Sequence, residues 1–143
     1  VLPLPQTNLF LQGREMPTAT PRALTAIKSL KDAGVLVAAG ADNVQDPFNL
    51  VGRSDPLETA SLLILAAHET PESAYEMVSV NARKAMGLDK ADVSPGSLAD
   101  FVAIDATSLR GAIADAPMSR KVFKSGVLIS SSQQTTQISP EGL

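Results

Sequence analysis

Residues 35–39, Val-Leu-Val-Ala-Ala, form an unbroken apolar run directly after Gly34, a residue suited to end a helix. Alternating apolar and polar residues would mark a strand with one wet face. A continuous run marks a strand buried on both faces, as in a parallel sheet layered under helices. Such a strand requires helices around it, and the sequence supplies their starts. Thr20-Pro21, Asp55-Pro56 and Thr70-Pro71 each place a capping side chain before a proline. Proline loses no hydrogen bond at the first helical position, and the residue before it can accept from the free amides of the first turn.

The three helices are expected over about 21–33, 56–68 and 71–86. The first sets Leu24, Ile27 and Leu30 on one face. The second opens with Asp55 and Glu58 in capping-box spacing and is apolar nearly all round, so most of its faces must be covered. The third turns Ala74, Met77, Val78, Ala82 and Ala85 inward and stops at Gly87, with Met86 also core by spacing. A less regular strand is expected within residues 1–12. Strand, helix, strand, helix is the unit of an α/β fold with right-handed crossovers.

The pattern changes after residue 88. Ala99–Asp105 and Lys121–Ile129 read as β structure, the second with a turn near Ser125-Gly126. The expected organisation is an α/β segment over 1–93, a small β unit over 94–130, and a polar, frayed tail over 131–143. The 143 residues suffice for one domain with a core. The first residues, Val-Leu-Pro-Leu-Pro, have neither an initiator Met nor a basic stretch ahead of an apolar run, and they read as the middle of a longer sequence.

Twelve Lys+Arg against fifteen Asp+Glu give a net charge of −3, with four Phe, one Tyr and no Trp. That balance lacks the positive field and the stacking platform of a nucleic-acid binder. No apolar stretch approaches the ~20 residues of a membrane span. Cysteine is absent, which removes disulfides, thiolate metal sites and Cys nucleophiles and suits a cytoplasmic location. His68 is the sole histidine, so a polyhistidine metal site cannot be built from these residues alone.

In parallel α/β folds, ligands bind beyond the carboxyl ends of the strands. The apolar run leads into Gly40-Ala41-Asp42-Asn43 and a long loop to Ser54 that holds Asp46-Pro47-Phe48 and Gly52-Arg53. Loops of this length in compact domains are usually functional or disordered. Asp42 is the leading candidate: a carboxylate at the end of an apolar strand is costly to bury unless it meets a cation, a metal or several donors. There it could ligate a cation or move a proton. An Asx-turn serving the loop is the competing reading. Asn8, Gln12, Arg14 and Asn43 offer amide or guanidinium contacts, although each taken alone is more often a polar group that satisfies its own loop. His68 falls at a helix C-terminus, where a capping or packed histidine is expected.

Asn8-Leu-Phe-Leu-Gln-Gly-Arg14, then Gly40-Ala-Asp-Asn-Val-Gln-Asp-Pro-Phe48, resembles the last two barrel strands of bacterial cytosine deaminases, within the metal-dependent amidohydrolase superfamily. Gly96–Asp105 resembles that superfamily's return into its β-sandwich, and Val122–Ile129 its closing hairpin. The resemblance implies the C-terminal part of a (β/α)8 TIM barrel, its last two βα units, followed by strands of a small β-sandwich. It further implies that Asp42 touches the catalytic metal and handles the proton of the attacking water. Asn43, Phe48 and Asn8 would line the pocket of a small heterocyclic substrate. One divalent ion, Zn or Fe, would take most of its ligands from outside this segment, and the remainder of the barrel would be the partner. A homo-oligomer is compatible with this arrangement. The chain has Asn43 where cytosine-type members have Asp, Phe48 where they have Trp, and Phe10 where His is frequent. An amide in place of an acid changes which ring tautomer is read, so a related cyclic amidine or amide fits as well as cytosine.

Two other readings compete. A non-catalytic α/β module could use the same loops to bind a small polar ligand or a partner chain, at the cost of unpaired strand edges. A doubly wound nucleotide-binding fragment lacks its glycine fingerprint.

Overall fold

Residues 1–4 run extended beside residues 36–40. The Val1 amino group donates to the Leu36 carbonyl at 2.9 Å, Ala38 N–H to Val1 O at 3.0 Å, and Gly40 N–H to Pro3 O at 3.2 Å. These bonds have the slant and spacing of a parallel pair. Pro3 has no N–H, so one rung is missing and the pairing is an interrupted ladder instead of a regular strand. The expected burial holds at the centre of the run, where Val37, Ala38 and Ala39 are buried, while Val35 stays exposed. The computed structural model describes residues 1–138 of the chain.

Helix α1 (Pro5–Leu11) follows at once, with proline at its first position. It replaces the strand expected up to residue 12. Helix α2 (Ile27–Asp32) is shorter than expected: Thr20-Pro21 starts no helix, and Ala23 takes φ 51°. Arg22 instead reaches the end of the next helix, donating to Ala66 O at 3.1 Å and to His68 Nε2. The expected stop holds. Gly34 has φ 73°, and Val35 N–H returns to Leu30 O at 2.9 Å.

Helix α3 (Pro56–Ala67) matches expectation, with the Asp55 side chain accepting from Leu57 N–H. The capping box does not close, because Glu58 accepts from Arg53 N–H and pairs with the Arg53 guanidinium. Leu57, Ala60 and Leu63 form the buried stripe, and Leu65 remains 70 % exposed. The expected third helix is two helices, α4 (Pro71–Val78) and α5 (Val80–Ala85), broken at Ser79. Two hydrogen bonds explain the break. Ser79 Oγ back-bonds to Tyr75 O at 2.6 Å, and Ala39 N–H takes the Met77 carbonyl at 2.8 Å. The first bends helices; the second removes an acceptor from the intrahelical ladder. Asn81 Nδ2 adds a bond to Val37 O at 2.9 Å, so this junction covers the free edge of the apolar run. Beyond the break the inward face is lost: Ala85 and Met86 are exposed.

Strand β1 (Phe101–Ile104), helix α6 (Leu109–Asp115), β2 (Arg120–Lys124) and β3 (Val127–Ser132) complete the described chain. The strands form an antiparallel sheet in the order β1-β2-β3, with Phe101 stacked on Phe123 at 4.7 Å between ring centroids. The β2–β3 turn falls where expected, with Ser125 and Gly126 both left-handed. Helix α6 was not expected; Ser108 caps it by accepting from Gly111 N–H at 3.0 Å. Ser131 and Ser132, assigned to the frayed tail, pair with β2 instead, Ser131 opposite Lys121 and Ser132 opposite Arg120. Residues 139–143 of the expected tail lie outside the described residues. The core gathers Ile27, Val37, Leu57, Leu63, Met77 and Ile113, so α6 packs into the same core as the helices before it.

Candidate functional site

The apolar run ends at Gly40-Ala41, and Asp42 turns the chain with φ 67°. Asp tolerates this left-handed region better than most residues, yet it remains uncommon outside glycine. Gln45 at 52° and Ser54 at 57° share it, so the loop from Asp42 to Ser54 holds three such residues. Its geometry is fixed by side chains. Asp46 Oδ1 accepts from the Phe48 and Asn49 amides at 2.9 and 3.1 Å, while buried Asn49 donates to Asn43 O at 2.7 Å. Gln45 Nε2 donates to Gly52 O at 3.2 Å.

Asp42 is exposed at the carboxyl end of the run, and its Oδ2 accepts from Thr7 Oγ1 at 3.3 Å. A cleft of about 230 Å³ opens beside it, walled by Gly40, Asp42, Val44, Asp55, Thr59 and Val78 among others. Asn8 follows Thr7 on α1 and is half-buried. Asn43 donates its side-chain amide to Asp46 Oδ2 within the loop. Phe48 is 52 % exposed, an apolar ring held out by the Asp46 turn. The structure therefore brings Asp42 to the cleft and joins it to α1, places Asn43 in the loop scaffold, and leaves Phe48 on the surface. Arg14 lies over the Phe10 ring, 4.8 Å from its centre. His68 ends α3 in a left-handed conformation, exposed, and accepts from Arg22; of the two roles expected of it, it takes that of the cap and is not packed.

The amidohydrolase family matches residues 2–129 of the chain. The chain belongs to the amidohydrolase family. A pterin deaminase of Rhizobium rhizogenes is 30 % identical to it over 134 residues, covering 90 % of this chain and 30 % of that protein. The 5-methylcytosine deaminase of Klebsiella pneumoniae, liganded with 5-fluorocytosine, superposes at a TM-score of 0.83 with 20 % identity, over 99 % of this chain and 35 % of that one. The N-isopropylammelide isopropylaminohydrolase of Burkholderia multivorans superposes at 0.69 with 32 % identity, over 81 % of this chain and 30 % of that one. The chain thus spans about a third of the length of these relatives.

Two polar constellations at the cleft of this amidohydrolase escaped sequence reasoning. Arg120, on β2, forks onto the Asp55 carboxylate, with Nη1 to Oδ1 at 3.2 Å and Nη2 to Oδ2 at 2.8 Å, and donates Nε to Pro117 O at 2.6 Å. Burial alone would raise the Asp55 pKa. The Arg120 and Leu57 hydrogen bonds, with the charges of Arg120 and Arg53, outweigh it and hold the carboxyl below its ordinary value. The second pair is buried: Gln6 Nε2 donates to Thr59 Oγ1 at 2.7 Å, joining α1 to α3 behind the cleft. Only the cap role of Asp55 was readable locally; nothing in the sequence near Arg120 or Gln6 pointed to either partner.

Among the described residues there is no group of three or more His, Cys, Asp or Glu placed to hold a metal ion. Asp42 fits as one oxygen ligand: it is accessible, at the cleft, and among the described residues engaged by a single hydroxyl.

Proposed function

We propose that the chain is the C-terminal part of a metal-dependent amidohydrolase that hydrolytically deaminates a cytosine-like substrate or a related cyclic amidine or amide. Residues 1–93 would then be the last βα units of its barrel and 94–130 strands of its β-sandwich. The observation that carries the reading is the position of Asp42. It stands beyond the carboxyl end of a doubly buried, parallel-paired run, at a cleft, in a family whose relatives named above are deaminases or an aminohydrolase.

Asp42 would be one ligand of a divalent ion, Zn or Fe, which when bound would supply a nucleophile near neutral pH by lowering the pKa of water. The work of this chain is proton transfer and positioning. An Asp42 oxygen accepts the proton released as water adds to the amino-bearing ring carbon. It returns that proton to the departing nitrogen while the adduct's hydroxyl proton passes to the ring nitrogen, so C(–NH₂)=N and water become C(=O)–NH and ammonia. The Thr7 hydroxyl holds the other carboxylate oxygen, fixing which edge faces the ring. Phe48 supplies a flat apolar wall to the heterocycle, with Asn8 and Asn43 beside it as polar contacts.

The test is metal analysis with an ammonia-release assay on the longest natural form of the protein. Cytosine, 5-fluorocytosine and pterin serve as the first panel. The expected result is a bound divalent ion and turnover of at least one compound. Metal-loaded protein that releases ammonia from no cyclic amidine or amide would overturn the proposal.

A further inference from the structure

The Arg120–Asp55 fork joins the C-terminal sheet to the last residue before α3, at the wall of the Asp42 cleft. Asp55 has one duty to its helix and another to Arg120. Its Oδ1 serves the Leu57 amide as a cap, and both oxygens together receive the guanidinium. The pair is largely shielded, with side chains 20 % and 15 % exposed for Arg120 and Asp55. Arg120 is itself aimed by its Nε bond to Pro117 O. Immediately before Asp55, Ser54 is held at φ 57°, a conformation that needs surrounding contacts to persist.

The loop from Asn43 to Ser54 is tied across by Gln45 Nε2 donating to Gly52 O and is fastened at each end. At its start, Asp46 and Asn49 lock the turn that presents Phe48. At its end, the Arg53–Glu58 contacts are half-exposed, and the Arg120 fork is the shielded one. Planar bidentate pairing fixes direction as well as distance, which a single exposed ion pair does not.

We propose that Arg120 is a positioning residue for substrate binding: acting through Asp55, it fixes the end of the loop that carries Phe48 and one wall of the Asp42 cleft. The C-terminal sheet is then part of the binding apparatus of the protein, although none of its residues lines this cleft. The inference rests on the deaminase reading where it concerns substrate, and on the structure alone where it concerns the loop.

The test uses the longest natural form carrying Arg120→Gln, Arg120→Lys or Asp55→Asn. In hydrogen exchange read by mass spectrometry, Arg120→Gln should speed exchange of residues 43–58 by about tenfold, the loss of a charged hydrogen bond. Peptides from β1 and β3 should keep wild-type rates. In ammonia release from 5-fluorocytosine or pterin, whichever the wild type turns over, KM should rise about tenfold while kcat changes less than about twofold. Arg120→Lys should recover part of the effect, since it keeps the charge and loses the fork. A purely structural role would lower active enzyme and apparent kcat at unchanged KM. Unchanged exchange in residues 43–58 would overturn the inference whether or not the deaminase reading survives. Wild type without activity, together with faster loop exchange in Arg120→Gln, would remove the deaminase reading and keep the positioning role.

Discussion

Helix α3 poses a question its sequence could not answer: which face of a nearly all-apolar helix is the core face. Leu63 has no exposed surface and packs among Met77, Ala74 and Ile113, whereas Leu65, two residues on, is 70 % exposed. Leu63→Ala removes three carbon groups from the interior. At about 0.8 kcal/mol each the transfer loss is ~2.4 kcal/mol. Helices α1, α4 and α6 all bear on α3, so collapse into the space is limited. A residual cavity of ~60 Å³ at about 24 cal/mol per Å³ adds ~1.4 kcal/mol. The expected destabilisation is about 4 kcal/mol for Leu63→Ala and below about 1 kcal/mol for Leu65→Ala. Urea unfolding of the longest natural form, followed by circular dichroism, measures both. Equal losses at the two positions, or a larger loss at Leu65, would refute this placement of the helix.

Three further outcomes follow from the same geometry. Thr70→Ala removes the hydroxyl that accepts from Ser73 N–H at 3.2 Å at the start of α4, and should cost about 1 kcal/mol in the same unfolding assay. Glu69 is a pH probe. Burial would raise its pKa, but hydrogen bonds from Lys31 Nζ and Ser73 Oγ outweigh it and hold the carboxyl below its ordinary 4.5. A depressed folded pKa means stability that is present above 4.5 and lost as pH falls through the folded value, because the unfolded chain then binds the proton more readily. The Tm difference between wild type and Glu69→Gln should therefore be full at neutral pH and shrink below pH 4.5; a difference that grows on acidification would contradict it. Breaking the Arg120 fork is the third, with its loop-exchange readout given above.

The residues legible in sequence were those whose roles are local. Asp55-Pro56 and Thr70-Pro71 started helices because a cap and a fixed φ act within one turn. Gly34 and Gly126 stopped or turned the chain because glycine adopts left-handed backbone at no steric cost. Thr20-Pro21 carried the same signal and failed, because Arg22 gains partners 44 and 46 residues away that a helix over 21–26 does not provide. The break at Ser79 depends on Ala39, and the cleft wall at Asp55 depends on Arg120, 65 residues on. Helical periodicity carries no trace of either. The position of Asp42 beyond the end of the apolar run was readable because the run itself is visible in sequence, and the structure sets that carboxylate at the cleft. The amide of Asn43 was readable only as polar, and the structure spends it on Asp46.

The account turns on Asp42. Replacing it with Asn keeps the size and the left-handed backbone tolerance, and removes the charge that the proposed mechanism uses to accept the proton. In the longest natural form, loaded with its divalent ion, Asp42→Asn should lower kcat for ammonia release by at least about 10²-fold, the lower end of the contribution of a positioned proton-transfer group. Its fold and its protection in residues 1–40 should remain those of wild type. Wild-type turnover by Asp42→Asn would contradict the catalytic assignment even with the fold intact.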